Sequence, residues 1–285
     1  MIWVGGRVVP DEALKVSVLD RTFEHGLGLF ETLRTWNGRA PLLDRHLARM
    51  ARSARELGLP YDSVMPPDDN AVSDLINSQG TGGDVMLRLT LTGGRDETAG
   101  ALLWMRAASL PPPLRRDGAV IDMGTWWVNP DDTFLRYKSL NYWARRRAFE
   151  SASRLGFDEV LSSSSDIRGT RIWEGSRTNV FAVRRDSLRT ALTNGPLVPG
   201  IMRTLVIERA RELSIDVVED RVFRRIDLYT AEEIFLTNSV RGLIPVARVH
   251  ERGHWIPKTW PAPGPVTQRL SLLVNDWLNP GDNPT

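Results

Sequence analysis

Three consecutive prolines at residues 111–113 constrain the fold of this chain more than any other segment. A proline run favours a stiff, extended connection over a packed helix or strand. On both sides of the run, strand-like and helix-like hydrophobic patterns alternate irregularly. We therefore predict an α+β fold with mixed sheets and hairpins, in which a small N-terminal domain (1–112) and a larger C-terminal domain (119–285) flank a linker at 113–118.

The first domain is predicted to contain strands and two helices, namely strands 2–4, 7–9, 30–36, 39–43, 85–92 and 102–109, and helices 44–57 and 69–78. The turn pairs Gly5-Gly6 and Asn37-Gly38 predict that the first four strands form two hairpins. Asp44 is the predicted cap of the first helix.

The second domain is also predicted to mix both element types, namely strands 119–128, 158–163, 178–184, 215–219 and 233–238, and helices 139–155, 201–213 and 264–278. A hairpin turn is expected at Arg168-Gly169. Three arginines at 145–147 fall within a predicted helix, and we interpret them as its solvated face.

Composition excludes several classes of protein. The chain has 285 residues, of which 41% are hydrophobic and 25% charged, as in soluble globular proteins. Its apolar runs are shorter than the roughly 20 residues that span a membrane. It contains no cysteine, so disulfides and thiolate metal sites are excluded, and with no signal-peptide pattern at the amino terminus we expect a cytoplasmic protein. The basic residues are scattered, which favours a small anionic substrate over nucleic acid.

Lys138 and Glu174 carry the most specific chemistry. Lys138 is one of three lysines, and Arg136 and the aromatic Tyr137 and Tyr142 lie close to it in the sequence. Neighbouring positive charge and partial burial make a lysine amine a useful nucleophile. A lysine that condenses with an aldehyde, followed by a carboxylate on a separate strand that keeps a pyridine nitrogen protonated, is the minimum that pyridoxal phosphate (PLP) requires. The ordinary alternatives are a surface lysine and a solvent-exposed hairpin carboxylate.

Two further segments are suited to a phosphate group. Pro199-Gly200 precedes a predicted helix, whose first backbone N–H groups are free to receive an anion. The run from Thr237 to Gly242 ends an apolar strand in hydrogen-bond donors. Arg49, on predicted helix 44–57, is a candidate countercharge for the phosphate.

Taken together, these motifs resemble those of the fold-type IV (class IV) PLP-dependent aminotransferases. That family includes branched-chain amino acid transaminases, D-amino acid transaminases and aminodeoxychorismate lyase. The similarity extends over nearly the whole chain. It rests on six segments that occur in the family's order: 20–32, 46–50, 138–141, 174–179, 199–203 and 237–239.

The resemblance implies a role for each matching residue. Lys138 is expected to bind PLP covalently and to move the proton between the substrate Cα and the cofactor C4′. Glu174 is expected to pair with the pyridine nitrogen, and Tyr142 to contact the cofactor O3′. Phosphate contacts are implied for Arg49, the amides of Ile201 and Met202, Ser239 and the amide of Val240. Family members are usually dimers, so a homodimer is also implied, and no metal is expected.

The substrate residues match the family less well. D-amino acid transaminases hold the substrate carboxylate with a tyrosine, an arginine and a histidine, where this chain has Phe30, Arg95 and Glu97. Branched-chain enzymes have an arginine followed by proline, where this chain has Arg88 followed by Leu89. Both Arg95 and Arg88 are therefore candidates to bind the carboxylate.

The predicted function is a transaminase that transfers the amino group of an amino acid to a 2-oxo acid. The alternative is aminodeoxychorismate lyase, which forms 4-aminobenzoate and pyruvate with the same lysine and cofactor. The run Lys138-Ser139-Leu140-Asn141 is more similar to the D-transaminase and lyase groups than to the branched-chain group.

Overall fold

The computed structural model describes residues 1–80, 83–185, 187–220 and 222–280. The chain divides into two compact units, Met1–Pro111 with Tyr137–Tyr142, and Pro112–Arg136 with Trp143–Thr285. The segment Tyr137–Tyr142, which was expected in the second domain, thus belongs to the first unit. The predicted domain boundaries and the linker at 113–118 remain predictions, and residues 281–285 of the predicted C-terminal domain lie outside the described part.

The first unit is an antiparallel sheet with helices. Its described elements are β1 (Ile2–Val4), β2 (Arg7–Val9), α1 (Arg21–His25), β3 (Gly28–Arg34), α2 (Leu43–Glu56), α3 (Asp69–Ser78), β4 (Val85–Thr92) and β5 (Leu103–Ser109). The strand order is β2-β1-β5-β4-β3. Buried leucines of β3 and β4 form the core with Met50 of α2 and Leu75 of α3, which explains why both helices were visible as apolar periodicity.

The second predicted hairpin is wrong. Asn37 and Gly38 do form a turn with positive φ, but only Trp36 and Arg39 pair across it. Beyond that turn the chain leads into α2, and β3 instead pairs along its whole length with β4. This longer pairing matches all seven residues of β3 with residues of β4, and five of the seven β3 residues are buried. Asp44 is not the cap of α2. It lies in the first turn of the helix, where its negative charge interacts favourably with the helix dipole.

The second unit is built on a mixed sheet. Its described elements are β6 (Ala119–Trp127), α4 (Trp143–Arg154), β7 (Glu159–Asp166), β8 (Gly169–Gly175), β9 (Asn179–Arg184), β10 (Ser187–Ala191), α5 (Ile201–Glu212), β11 (Val217–Asp220), α6 (Arg225–Tyr229), β12 (Glu233–Asn238), β13 (Gly242–Glu251), β14 (His254–Thr259) and α7 (Pro265–Leu278). The order is β11-β10-β9-β12-β13-β6-β7-β8, and β14 pairs with β13. The pairs β10–β11, β6–β13 and β6–β7 are parallel.

Several elements were absent from the sequence prediction, namely α1, α6, β8, β10, β13 and β14. The turn at Arg168-Gly169 joins β7 to β8, and β9 pairs with β10 and β12. Among the described helices, none is long and apolar enough to cross a membrane.

The predicted helix 139–155 begins four residues late, because the preceding segment is held against β3 by an isolated bridge between Leu29 and Ser139. The Phe30 N–H donates to the Lys138 carbonyl, and the Leu140 N–H donates to the Gly28 carbonyl, each at 2.9 Å. Gly28 makes this approach possible. It has a φ of 150°, and a Cβ at this position would lie 2.6 Å from Leu140 Cδ1 and 2.7 Å from the Leu91 carbonyl oxygen.

We expect Gly28→Ala to detach this segment from β3. The added methyl group costs about 1–3 kcal/mol of folding free energy as overpacking. Amide hydrogen exchange at Phe30 and Leu140 should accelerate. Gly38→Ala is the matched control, because φ is also positive there (74°) but nothing lies within 4 Å of the new Cβ. If both amides stayed as protected in Gly28→Ala as in Gly38→Ala, the proposed role of Gly28 would be wrong.

Candidate active site

Lys138 lies over an aromatic pair in the first unit. Its half-buried amine is 4.5 Å from the centre of the Phe30 ring and 5.8 Å from that of Tyr142. The two rings meet edge to face at 5.0 Å. Both neighbours follow from the strand pairing, which sets the Lys138 backbone beside Phe30. The amine is thus held against an apolar surface, as a nucleophilic lysine requires.

Arg88 lies over the same ring. Its guanidinium is 4.0 Å from the centre of Phe30, and Arg106 is its direct cross-strand neighbour. Burial, followed by the Arg106 cation, lowers the pKa of Arg88, although Tyr142 opposes the shift. No carboxylate of the described residues forms an ion pair with Arg88. Two adjacent arginines without an acid are unfavourable by themselves and suit an anionic ligand.

Arg49 is fixed by a buried carboxylate on the opposite face of β3. Its Nε donates to Glu31 Oε1 at 2.8 Å, its Nη2 donates to Oε2, and His46 Nδ1 lies 2.7 Å from Oε2. Burial alone would raise the pKa of Glu31, but the Arg49 and His46 interactions outweigh it and hold that pKa at about 2. Burial lowers the pKa of His46. Glu31 and His46 therefore orient the Arg49 guanidinium.

Glu174 lies at the end of β8 in the second unit and is 3% exposed. Arg145 Nη2 donates to its Oε1 at 2.5 Å, and the Val198 N–H is shared between its two oxygens at 3.1 Å each. The Asn179 amide donates to Oε2 at a longer 3.4 Å. The carboxylate is therefore oriented and screened from water.

A second buried acid, Glu159, shapes the loop after Glu174. Its carboxylate accepts hydrogen bonds from Ser176 N–H, Arg177 N–H and the Thr178 hydroxyl, and also from the Ser176 hydroxyl. The turn is so tight that a Cβ on Gly175 would lie 2.1 Å from Thr178 Oγ1. This network fixes where β8 ends and hence where Glu174 points.

The two segments expected to bind phosphate differ. Ile201 and Met202 begin α5, and Gly200 at its N-cap offers the helix no side-chain acceptor. First-turn N–H groups of this kind suit an anion. In the other segment, the Val240 N–H already donates to Asn238 Oδ1 at 3.0 Å. Ser239, between them, is half-buried.

The structure brings Arg88, Phe30, Lys138 and Tyr142 together within the first unit. It does not place Arg95 in that group. Arg95 and Glu97 are exposed, and the described contacts of Arg95 are its N–H bond to the Ala99 carbonyl and packing against Gly100.

Arg145 was misinterpreted from the sequence. The run 145–147 was expected to be a solvated face, but Arg145 is 6% exposed whereas Arg146 and Arg147 reach solvent. A helical pattern that is polar on both sides contains no signal for the residue that turns inward. Glu31 was also missed, although strand alternation places it on the face opposite to Phe30.

Comparison with known proteins identifies the family. The family model described as "Amino-transferase class IV" matches residues 28–249. The chain belongs to this family.

Relatives come from three branches of the family. The chain is 27% identical to the branched-chain-amino-acid aminotransferase of Salmonella typhimurium, with 87% of this chain and 84% of the relative covered. It is 27% identical to the D-alanine aminotransferase of Bacillus licheniformis (95% and 94% covered) and 26% identical to the aminodeoxychorismate lyase of Bacillus subtilis (96% and 93% covered).

The similarity extends to solved structures. A branched-chain amino acid aminotransferase of T.th., solved with pyridoxamine 5′-phosphate, superposes with a TM-score of 0.78 at 25% identity. The superposition covers 98% of this chain and 93% of that chain.

These findings confirm the predicted fold class, enzyme class and cofactor. The protein is a PLP-dependent class IV aminotransferase that acts on amino acid and 2-oxo acid substrates. Each unit by itself contains residue types that suit PLP. The first has a half-buried lysine over aromatic rings, and the second has a buried carboxylate and a helix start without a side-chain cap. When bound, PLP supplies an electron sink.

We expect Glu31→Gln to destabilise the protein in a pH-dependent way. The pKa of Glu31 is about 2 in the folded protein against an ordinary 4.5, so its charge contributes about 3 kcal/mol at pH 7. Because the folded pKa is the lower one, this contribution is present above pH 4.5 and is lost as the pH falls toward 2. Urea unfolding at about pH 7 and about pH 2.5 should show a large gap from wild type that closes at the lower pH.

The control is Glu24→Gln, since Glu24 is exposed on α1 and should show no comparable gap. An equal gap for Glu31→Gln at both pH values would mean that its charge does not stabilise the fold.

Proposed function

We propose that this transaminase binds the carboxylate of its amino acid and 2-oxo acid substrates through Arg88, next to a PLP group carried by Lys138. The observation that supports the proposal most is that Arg88 and Lys138 lie over the same ring, Phe30, at 4.0 and 4.5 Å. In an α-amino acid the carboxylate and the reacting Cα are adjacent. A carboxylate anchor beside the lysine thus keeps the Cα within reach of its amine.

In this proposal Lys138 acts twice. It holds the cofactor covalently, and it moves a proton between the substrate Cα and the cofactor C4′. Phe30 and Tyr142 hold the amine over their rings and so define its place in the site. Tyr142 is proposed to reach the cofactor O3′.

The remaining roles concern the ring nitrogen and the phosphate. Glu174 is proposed to pair with the pyridine nitrogen, supported by its burial and by the hydrogen bond that Arg145 donates to it. The proposed phosphate contacts are Arg49, the amides of Ile201 and Met202, Ser239 and the amide of Val240. Of these, the Val240 amide has to exchange its present acceptor, Asn238 Oδ1, for the phosphate.

Borohydride reduction of the holoenzyme tests the lysine. Peptide mapping should find the pyridoxyl group on Lys138, and Lys138→Ala should lose the covalent link and nearly all turnover. Lys258→Ala is the control, since the Lys258 amine donates to the carbonyls of Tyr229 and Ala231. A pyridoxyl group on Lys15 or Lys258 would refute the assignment.

Steady-state kinetics tests the carboxylate anchor. Arg88→Ala should raise KM for amino acids by roughly 10- to 100-fold, the loss of about 1.5–3 kcal/mol of a charged hydrogen bond. Arg88→Lys should restore only part of the affinity, because lysine lacks the bidentate geometry. An amine substrate without a carboxylate should be affected much less.

Arg95→Ala is the matched control. We expect it to leave KM nearly unchanged, because Arg95 is exposed on a separate loop. If Arg95→Ala raised KM and Arg88→Ala did not, the carboxylate would be bound as the D-amino acid transaminase comparison suggests.

Aminodeoxychorismate lyase remains the second candidate function, supported by the similarity to the Bacillus subtilis lyase over 96% of this chain. It requires the same lysine and also a carboxylate partner. Release of pyruvate and 4-aminobenzoate from aminodeoxychorismate without an amino acceptor would establish the lyase. Amino transfer between an amino acid and a 2-oxo acid without that release would establish the transaminase.

We further propose a homodimer located in the cytoplasm, with domains at 1–112 and 119–285. The dimer is supported by the family resemblance, and the location by the absence of cysteine from the sequence.

A further inference from the structure

Arg145 is a buried cation in an unfavourable place. It lies in the first turn of α4, near the positive end of the helix dipole, where a cation is destabilising. It is nevertheless 6% exposed, while Arg146 and Arg147 beside it reach solvent. Burial is therefore a property of this one position and needs a reason other than helix formation.

The described contacts of Arg145 tie it to Glu174. Nη2 donates to Glu174 Oε1 at 2.5 Å and to the Leu135 carbonyl at 2.8 Å, and the guanidinium is 5.7 Å from the centre of the Trp126 ring. A guanidinium keeps its proton even when buried, so it requires an anion beside it. Glu174 is that anion, and its charge is matched before any ligand arrives.

This pairing changes what Glu174 offers a ligand. Oε1 is bound by a full positive charge, whereas Oε2 receives the shared Val198 N–H and the long Asn179 contact. A carboxylate held by neutral donors alone attracts a neighbouring N–H proton with its whole charge, and one shared with arginine attracts it less.

We propose that Arg145 is a positioning residue that holds the Glu174 carboxylate in a fixed orientation toward the pyridine nitrogen of PLP and weakens the hold of Glu174 on the proton of that nitrogen. The inference rests on the proposed role of Glu174. It means that the nitrogen loses its proton at a lower pH with Arg145 present than without it. Arg145 thus influences how strongly the pyridine ring of bound PLP withdraws electrons, because that strength depends on the proton of the nitrogen.

Nuclear magnetic resonance of the holoenzyme loaded with ¹⁵N-labelled PLP tests this inference. The chemical shift of the pyridine nitrogen reports its protonation directly as the pH is varied. Arg145→Gln should raise the midpoint of deprotonation by at least about one pH unit, the usual effect of one nearby charge. Arg145→Lys should stay closer to wild type because it keeps the charge. Arg146→Gln, one residue away and exposed, is the matched control and should titrate as wild type does.

Glu174→Gln separates this inference from the proposal beneath it. If Glu174→Gln leaves the nitrogen titration unchanged, Glu174 does not face the nitrogen and both ideas fail. If Glu174→Gln shifts the titration but Arg145→Gln, folded and loaded with PLP, has the wild-type midpoint, only the role of Arg145 is overturned. Arg145 would then serve the packing of α4 alone.

Arg145→Gln leaves a buried carboxylate unmatched, and this variant is prone to unfold. In that case Glu174→Gln is compared with the double variant Arg145→Gln/Glu174→Gln, in which both charges are removed. The nitrogen should lose its proton at a lower pH in the single variant, where the Arg145 cation remains. Equal midpoints in the two would overturn the inference.

Discussion

Two backbone hydrogen bonds between β3 and the segment Tyr137–Tyr142 determine where Lys138, the lysine proposed to carry the cofactor, is placed. They tie Gly28 and Phe30 to Lys138 and Leu140, and they exist because Gly28 has no side chain to block the approach. This pairing delays the start of α4 and brings the Lys138 amine to Phe30. The guanidinium of Arg88, on the neighbouring strand β4, lies over the same Phe30 ring. A local conformational constraint thus assembles groups from distant parts of the sequence.

Buried arginine–carboxylate pairs organise both units. In the first, Glu31 holds Arg49 beneath the sheet, and in the second, Arg145 holds Glu174 at the end of β8. Such pairs cost desolvation free energy, and they fix the orientation of both partners. Enzymes need oriented charges more than additional stability at a reacting centre. Each pair therefore makes sense as preparation for a charged ligand.

Much of the fold was predictable where a strong local signal existed. Helix α3 and strand β4 have the predicted bounds, since apolar periodicity and turn residues define both of their ends. The hairpin after Asn37-Gly38 failed because β3 pairs over seven residues with the more distant strand β4, and the chain after the turn leads into α2. The short strand β10 and helix α6 were missed because five residues contain too little periodicity to detect.

The sequence by itself determined the family, the cofactor and the residue types of the candidate site, because six short motifs in a set order carry that information locally. Only the tertiary structure decided that Arg145 is buried, that Glu31 holds Arg49, and that Arg88 and not Arg95 lies beside Phe30. These facts depend on strand register and on which side of a helix faces the core. Both are set by contacts between distant segments, and charged side chains carry no hydrophobic pattern that would indicate them.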